Sequence, residues 1–156
     1  KCYNKNDDEK EGFMKRNFIF ILCIVVIIIA ILFAKYLNYK NEITAIKENN
    51  LEYEKYLNKE VLGTELTTIV NKAVDSNEKN SVPKDEQGFY VTNDINSVKI
   101  QIQILDNETM YDMETIYNGG MERFVQNYNS INFECTKVEY NKAGKVSYML
   151  FEQKNI

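Results

Sequence analysis

The chain has no histidine, no tryptophan and a single proline, with six glycines and three cysteines in 156 residues. Losing histidine removes the commonest general base and the commonest metal ligand together. Ser-His-Asp triads, Cys-His pairs and histidine-based zinc sites are thereby excluded. Excess charge of one sign is small as well. The 19 Lys and Arg face 23 Asp and Glu, and a net charge of −4 disfavours nucleic acid, whose binders carry a clustered basic face. No phosphate loop, dinucleotide fingerprint, CxxC or HExxH is present. No catalytic, cofactor-binding or metal-ligating residue, no cofactor and no nucleic-acid partner is therefore expected.

What is present begins with a long apolar run. Residues Phe18 to Ala34 read FIFILCIVVIIIAILFA, with no charge and no proline. At 1.5 Å per residue this makes about 25 Å of helix against a hydrocarbon core of ~30 Å. Tyr36, Leu37 and Tyr39 extend it into the headgroup level, where aromatics sit. A buried core helix would show a polar stripe, and this run is apolar all round. A cleavable signal wants small residues at its end, where this run has Leu32-Phe33-Ala34. Residues 18–36 are thus expected to be an uncleaved single-pass anchor in a lipid bilayer. Lys1, Lys5, Lys10, Lys15 and Arg16 precede it, against Lys35, Lys40 and Lys47 after it, so residues 1–17 are expected in the cytoplasm and the remainder outside. Met14 opens MKRNFIFIL, a well-formed anchor start, and no function is built on the residues before it. Lys, Asn and Ile abound, all encoded by A/T-rich triplets, which points to a prokaryotic cell envelope. In that setting the Asn107-Glu108-Thr109 sequon is chance.

After the anchor, residues 37–62 read as an amphipathic helix. Tyr39, Ile43, Ile46, Asn50, Tyr53 and Leu57 alternate at spacings of four and three, a heptad-like stripe on one face. Two coverings are open: the protein's own domain, or a second copy in a homo-oligomer, where Asn50 would set register. Gly63 is expected to break this helix and Thr64 to cap the next, whose apolar face is Leu66, Ile69, Val70, Ala73 and Val74. The helix is expected to fade in the polar stretch from Asp75 to Pro83. Asp75, Asn77 and Glu86 occupy positions one, three and twelve of a calcium-loop frame, but Lys79 and Asn80 stand at five and six, so the stretch reads as a solvated loop.

Residues 63–156 then form an extracytoplasmic α+β domain. Gly88 to Thr92 reads as a short strand, Asn93 to Asn96 as a turn, and Val98, Ile100, Ile102 and Ile104 alternate with Lys99, Gln101 and Gln103 as the clearest strand. Asp106-Asn107 turns the chain, and Met110 to Tyr117 is ambiguous. Gly119-Gly120 open a short helix with Met121, Phe124, Val125 and Tyr128 on one face. Ile131 to Tyr140 and Lys145 to Phe151 are strands joined by a hairpin over Asn141 to Gly144. An antiparallel sheet of about four strands with a short helix is expected. Cys135 is the one cysteine in this domain, which leaves no internal disulfide, and it reads as a small buried hydrophobe.

Two weak site candidates arise. Gly119-Gly120 before a helix, with Arg123 one turn on, make a candidate contact for an anion. Asp112 and Glu114, flanked by Tyr111, Met113 and Tyr117, are the carboxylate pair best placed for acid–base work.

The arrangement of basic start, apolar helix, amphipathic extension and antiparallel sheet resembles type IV pilins and pseudopilins. In that family a leader ends in Gly, the mature chain begins with Phe or Met, and Glu stands fifth. Lys10-Glu11-Gly12-Phe13 resembles the junction, whereas the fifth residue is Asn17, and Lys15 and Arg16 stand where the family is apolar. The resemblance implies processing before Phe13 and a filament or secretion subunit. In texture the chain also resembles small single-pass membrane-anchored proteins of low-GC Gram-positive bacteria, which implies anchorage and a protein partner. A non-enzymatic, membrane-tethered interaction domain is the leading expectation, and a ligand-sensing or catalytic domain is third.

Overall fold

The computed structural model of the chain describes residues 5–105 and 109–154, with side chains from residue 17 onward. The first element, α1, is a helix of 50 residues, Lys5–Glu54. The chain divides into two units between Thr44 and Ala45. In the first unit the described residues are exposed, and α1 contains one stretch long and apolar enough to cross a membrane, with mean hydropathy 3.2.

The second unit, Ala45–Ile156, is α+β. After the end of α1 come β1 (Glu60–Leu62), α2 (Gly63–Lys79), β2 (Lys99–Ile104), β3 (Thr109–Asp112), α3 (Met113–Gly119), α4 (Met121–Tyr128), β4 (Asn132–Tyr140) and β5 (Val146–Gln153). The strands form one sheet in the order β1-β4-β5-β2-β3. Its core follows the alternation of the sequence. Ile100, Ile102 and Ile104 of β2 are buried, as are Phe133, Cys135, Met149 and Phe151 of β4 and β5. The expected α2 face, Leu66, Ile69, Val70, Ala73 and Val74, is buried in the same cluster. On the other face of β2, Lys99, Gln101 and Gln103 remain half-exposed.

Several expectations are corrected. The sheet has five strands and is mixed, because β2 pairs in parallel with β5, with Lys99 opposite Tyr148 and Gln103 opposite Glu152. Antiparallel neighbours can be joined by a tight turn, but a parallel pair needs a crossover, and the chain from β3 through α3, α4 and β4 supplies it. The strand expected over Gly88 to Thr92 is absent. Asp85 accepts the N–H groups of Gln87 and Phe89, Gly88 takes φ +87°, and a single bridge joins Lys84 to Tyr90. The helix expected through residue 62 ends at Glu54. Asn58 turns the chain with φ +56°, its N–H bonds to the Cys135 carbonyl, and Glu60–Leu62 pairs with β4 as an edge strand. Asn tolerates the left-handed region better than most residues, so this turn carried no Gly or Pro signal. The short helix is in fact two, parted at Gly120 with φ +97°. Met110 to Tyr117 resolves as the end of β3 followed by most of α3.

Gly63 opens α2 instead of breaking a helix, and Leu62 takes the cap position with no side-chain bond, so Thr64 is not the cap. Glycine is needed there for space: a Cβ would lie 2.0 Å from the Tyr128 carbonyl oxygen. The helix continues through Asp75 and Asn77 to Lys79. Asn77 is fully buried, donating to the Val98 carbonyl and accepting the Val98 N–H, each at 2.8 Å. The hairpin over Asn141 to Gly144 forms as expected, with Gly144 at φ +78° and the Asn141 side chain accepting from Ala143 and Lys145. The turn expected at Asp106-Asn107, and the sequon with it, lies outside the described residues apart from Thr109.

Candidate functional site

The amphipathic stripe is divided between two environments. Its lower part packs on the protein's own domain. Tyr53 is 2 % exposed, and burial is the main cause that pushes its hydroxyl well above the usual tyrosine range. The Asn50 amide donates to the Gly144 carbonyl and accepts the Val146 N–H, both at 2.8 Å, closing on the hairpin between β4 and β5. At Asn50 and Tyr53 the covering is the protein's own domain, one of the two that the stripe left open. Heptad spacing marks an apolar face but does not say what covers it. Tyr39 and Ile43 are exposed, Ile46 is half-buried, and Leu57 sits at the domain edge in a bridge to Cys135.

The two carboxylates expected to work together turn to different partners. Asp112 stands on the half-exposed sheet face, 3.1 Å from the Lys99 ammonium and accepting from the Gln101 amide at 2.8 Å. Gln101 in turn accepts from the Tyr148 hydroxyl at 2.9 Å. This chain of polar contacts ties β2, β3 and β5 together across their open face. Glu114 is 4 % exposed, and its Oε1 accepts the Tyr90 N–H at 3.0 Å. That bond anchors the loop before β2 to α3. Its Oε2 has no partner among the described residues.

The glycine pair and Arg123 do come together. They line a cavity of about 280 Å³ framed by the end of β2, by β3, α3 and α4. Gly120, at φ +97°, lets the chain bend between the two helices, and the N–H groups of Arg123 and Phe124 bond to its carbonyl at 3.1 and 3.4 Å. The first turn of α4 therefore spends these donors on itself, and the positive charge at the cavity is the Arg123 side chain. Tyr111, Phe124 and Tyr128 add aromatic rings; Phe124 and Tyr128 were expected only as one face of a short helix, and Tyr111 only as a flank of the carboxylate pair. Phe124 and Tyr128 stack with centroids 4.9 Å apart, and both pack against Phe133. Their spacing on either side of one helical turn, next to Arg123, was the available signal. Tyr111 was not legible, because only the β2–β3 pairing brings it there.

Among the described residues, no group of three or more Cys, Asp or Glu is placed to hold a metal ion. Cys135 is buried, and burial is the main cause that pushes its thiol up to about 11. A thiol so protonated at neutral pH is a poor nucleophile. No protein-family model matches the chain, and neither a curated protein nor a solved structure does.

Proposed function

We propose that the protein is a membrane-tethered binding domain of a bacterial cell envelope, inserted with its N-terminus in the cytoplasm and working by contact with another protein. The observation that carries this reading lies in α1. One helix contains both an uncharged run from Phe18 to Ala34, exposed along its length, and the residues Asn50 and Tyr53 that are built into the folded unit. An all-round apolar helix suits hydrocarbon, where every backbone group must be bonded within the segment. The sheet supports the second half of the proposal: its face bearing Gln101, Tyr148 and Leu150 is half-exposed within the folded unit.

A cysteine placed at exposed Ala143, in the hairpin, tests the topology. In intact cells a membrane-impermeant maleimide should label it without permeabilisation. Labelling only after permeabilisation would overturn the orientation. The mass of the mature N-terminus supplies the second measurement. A chain beginning at Phe13 would replace the tether by a pilin-like subunit, and an unprocessed anchor supports the tether.

A further inference from the structure

The geometry points to the cavity at Arg123 as a binding site for a small aromatic carboxylate, its ring among Tyr111, Phe124 and Tyr128 and its carboxylate on the Arg123 guanidinium. In the folded unit, Lys72, Lys84, Lys99, Lys137, Lys142 and Lys154 each pair with an Asp or Glu side chain, and Lys47, Lys55, Lys59, Lys79 and Lys145 do not line the cavity. Arg123 is exposed, and its side chain makes no ion pair or hydrogen bond among the described residues. Among the described residues no acidic side chain lines the cavity, and the neighbouring Glu122 lies outside it. In a chain of net charge −4, an arginine without an ion pair, at a hollow with no acid among its described lining residues, favours an anion. A guanidinium fork also matches a carboxylate bidentately, which an ammonium does not.

Size and lining select the rest of the ligand. The cavity holds about 280 Å³. A dry cavity of ~150 Å³ accepts benzene, and drug-sized ligands occupy ~300–1,000 Å³, so this space suits one ring with a short acidic arm. The rings that line it offer offset and edge-on contacts to an aromatic guest. Gly119 and Gly120 keep one wall bare, because nothing lies within 4 Å of where their Cβ atoms would stand. The site belongs to the folded unit and would exist whichever side of a membrane that unit faced.

The test uses the full chain in lipid nanodiscs, labelled with nitrogen-15 and titrated with 3-phenylpropionate. The amides of Gly119, Gly120 and Arg123 should shift saturably below ~10 mM, an affinity ordinary for so few atoms. Acetate and benzyl alcohol, which keep only the charge or only the ring, should each bind at least about tenfold more weakly. Arg123→Gln should lower affinity for 3-phenylpropionate about tenfold or more, the loss expected of a charge-assisted bond, with the thermal midpoint unchanged. Gly119→Leu, whose side chain enters open space at ordinary φ, should abolish binding while the rest of the spectrum is preserved. Benzyl alcohol binding as well as the acid, Arg123→Gln binding as the unaltered chain does, or no saturable shift at all would each overturn the proposal.

Discussion

Isoleucine marks the contrast between the two units. In α1, Ile19 and Ile29 are each 59 % exposed, whereas Ile100 and Ile102 of β2 are 0 % exposed. The side chain is the same; its pattern differs. In β2 apolar and polar residues alternate with the period of the pleat, so the strand has an inside and an outside. In the upstream segment the apolar residues run round the whole helix, which has no inside to turn toward a core. Burial is thus a property of the pattern and of the medium the pattern calls for. The junction between the regimes falls within one helix, and the change is visible at Asn50 and Tyr53, where polar contacts and burial in the folded unit begin.

The comparison breaks most severely at that junction. A fragment starting at Gly63 lacks Tyr53, Tyr56 and Val61, all members of the buried core. Losing a buried aromatic costs ~3–5 kcal/mol, and small domains have only ~5–15 kcal/mol in total. Residues 45–156 should therefore unfold cooperatively in urea, followed by circular dichroism, and residues 63–156 should not. Equal midpoints for the two fragments would detach the end of α1 from the folded unit.

Next in size is a matched pair of truncations. Ile102→Ala should destabilise the folded unit by about 2–5 kcal/mol, and Ile29→Ala should leave it within ~0.5 kcal/mol. Urea midpoints measured on both variants of the full chain decide this, and a similar cost at both positions would erase the distinction between the regions. Gly63→Ala comes third. Its added methyl meets the Tyr128 carbonyl, so α2 and α4 must separate, at a cost of about 1–3 kcal/mol, whereas glycine-to-alanine changes in an open helix stabilise by ~0.5–1 kcal/mol. A stabilised Gly63→Ala variant would show that the close approach is dispensable.

The smallest effect is one of pH. The folded unit pushes the Cys135 thiol up to about 11 from its ordinary value of 9.0. Between these values the native state binds more protons than the unfolded chain. Stability from this group is fully present below the unfolded pKa and is lost as pH rises through the folded one. Cys135→Ala should flatten that alkaline decline, measured by urea titration at pH 8, 9 and 10. An unchanged slope would mean the thiol is not held protonated.

Local signals in the chain carry much of the fold. The alternation from Val98 to Ile104, the apolar face of α2, the hairpin at Asn141–Gly144 and the uncharged run from Phe18 to Ala34 each arise from neighbours in sequence, whose side chains meet the same surface by backbone geometry alone. Of the candidate site, Gly119, Gly120 and Arg123 were legible because they sit within one turn of each other, whereas Asp112 and Glu114, just as near, turn to different partners. Adjacency along the chain did not say that one would face Lys99 and the other the Tyr90 backbone.

The sequence by itself determined which residues wish to leave water, the period on which they recur, and hence the elements that period supports. Only the tertiary structure decided that β5 lies parallel to β2, that Asn50 closes on a hairpin 94 residues away, and that Tyr111 joins Arg123 at one cavity. The reason is that the hydrophobic effect rewards burial without naming a partner. Which distant faces meet depends on strand order, crossover and the close approach that a residue such as Gly63 permits, all of which are settled jointly when the chain packs.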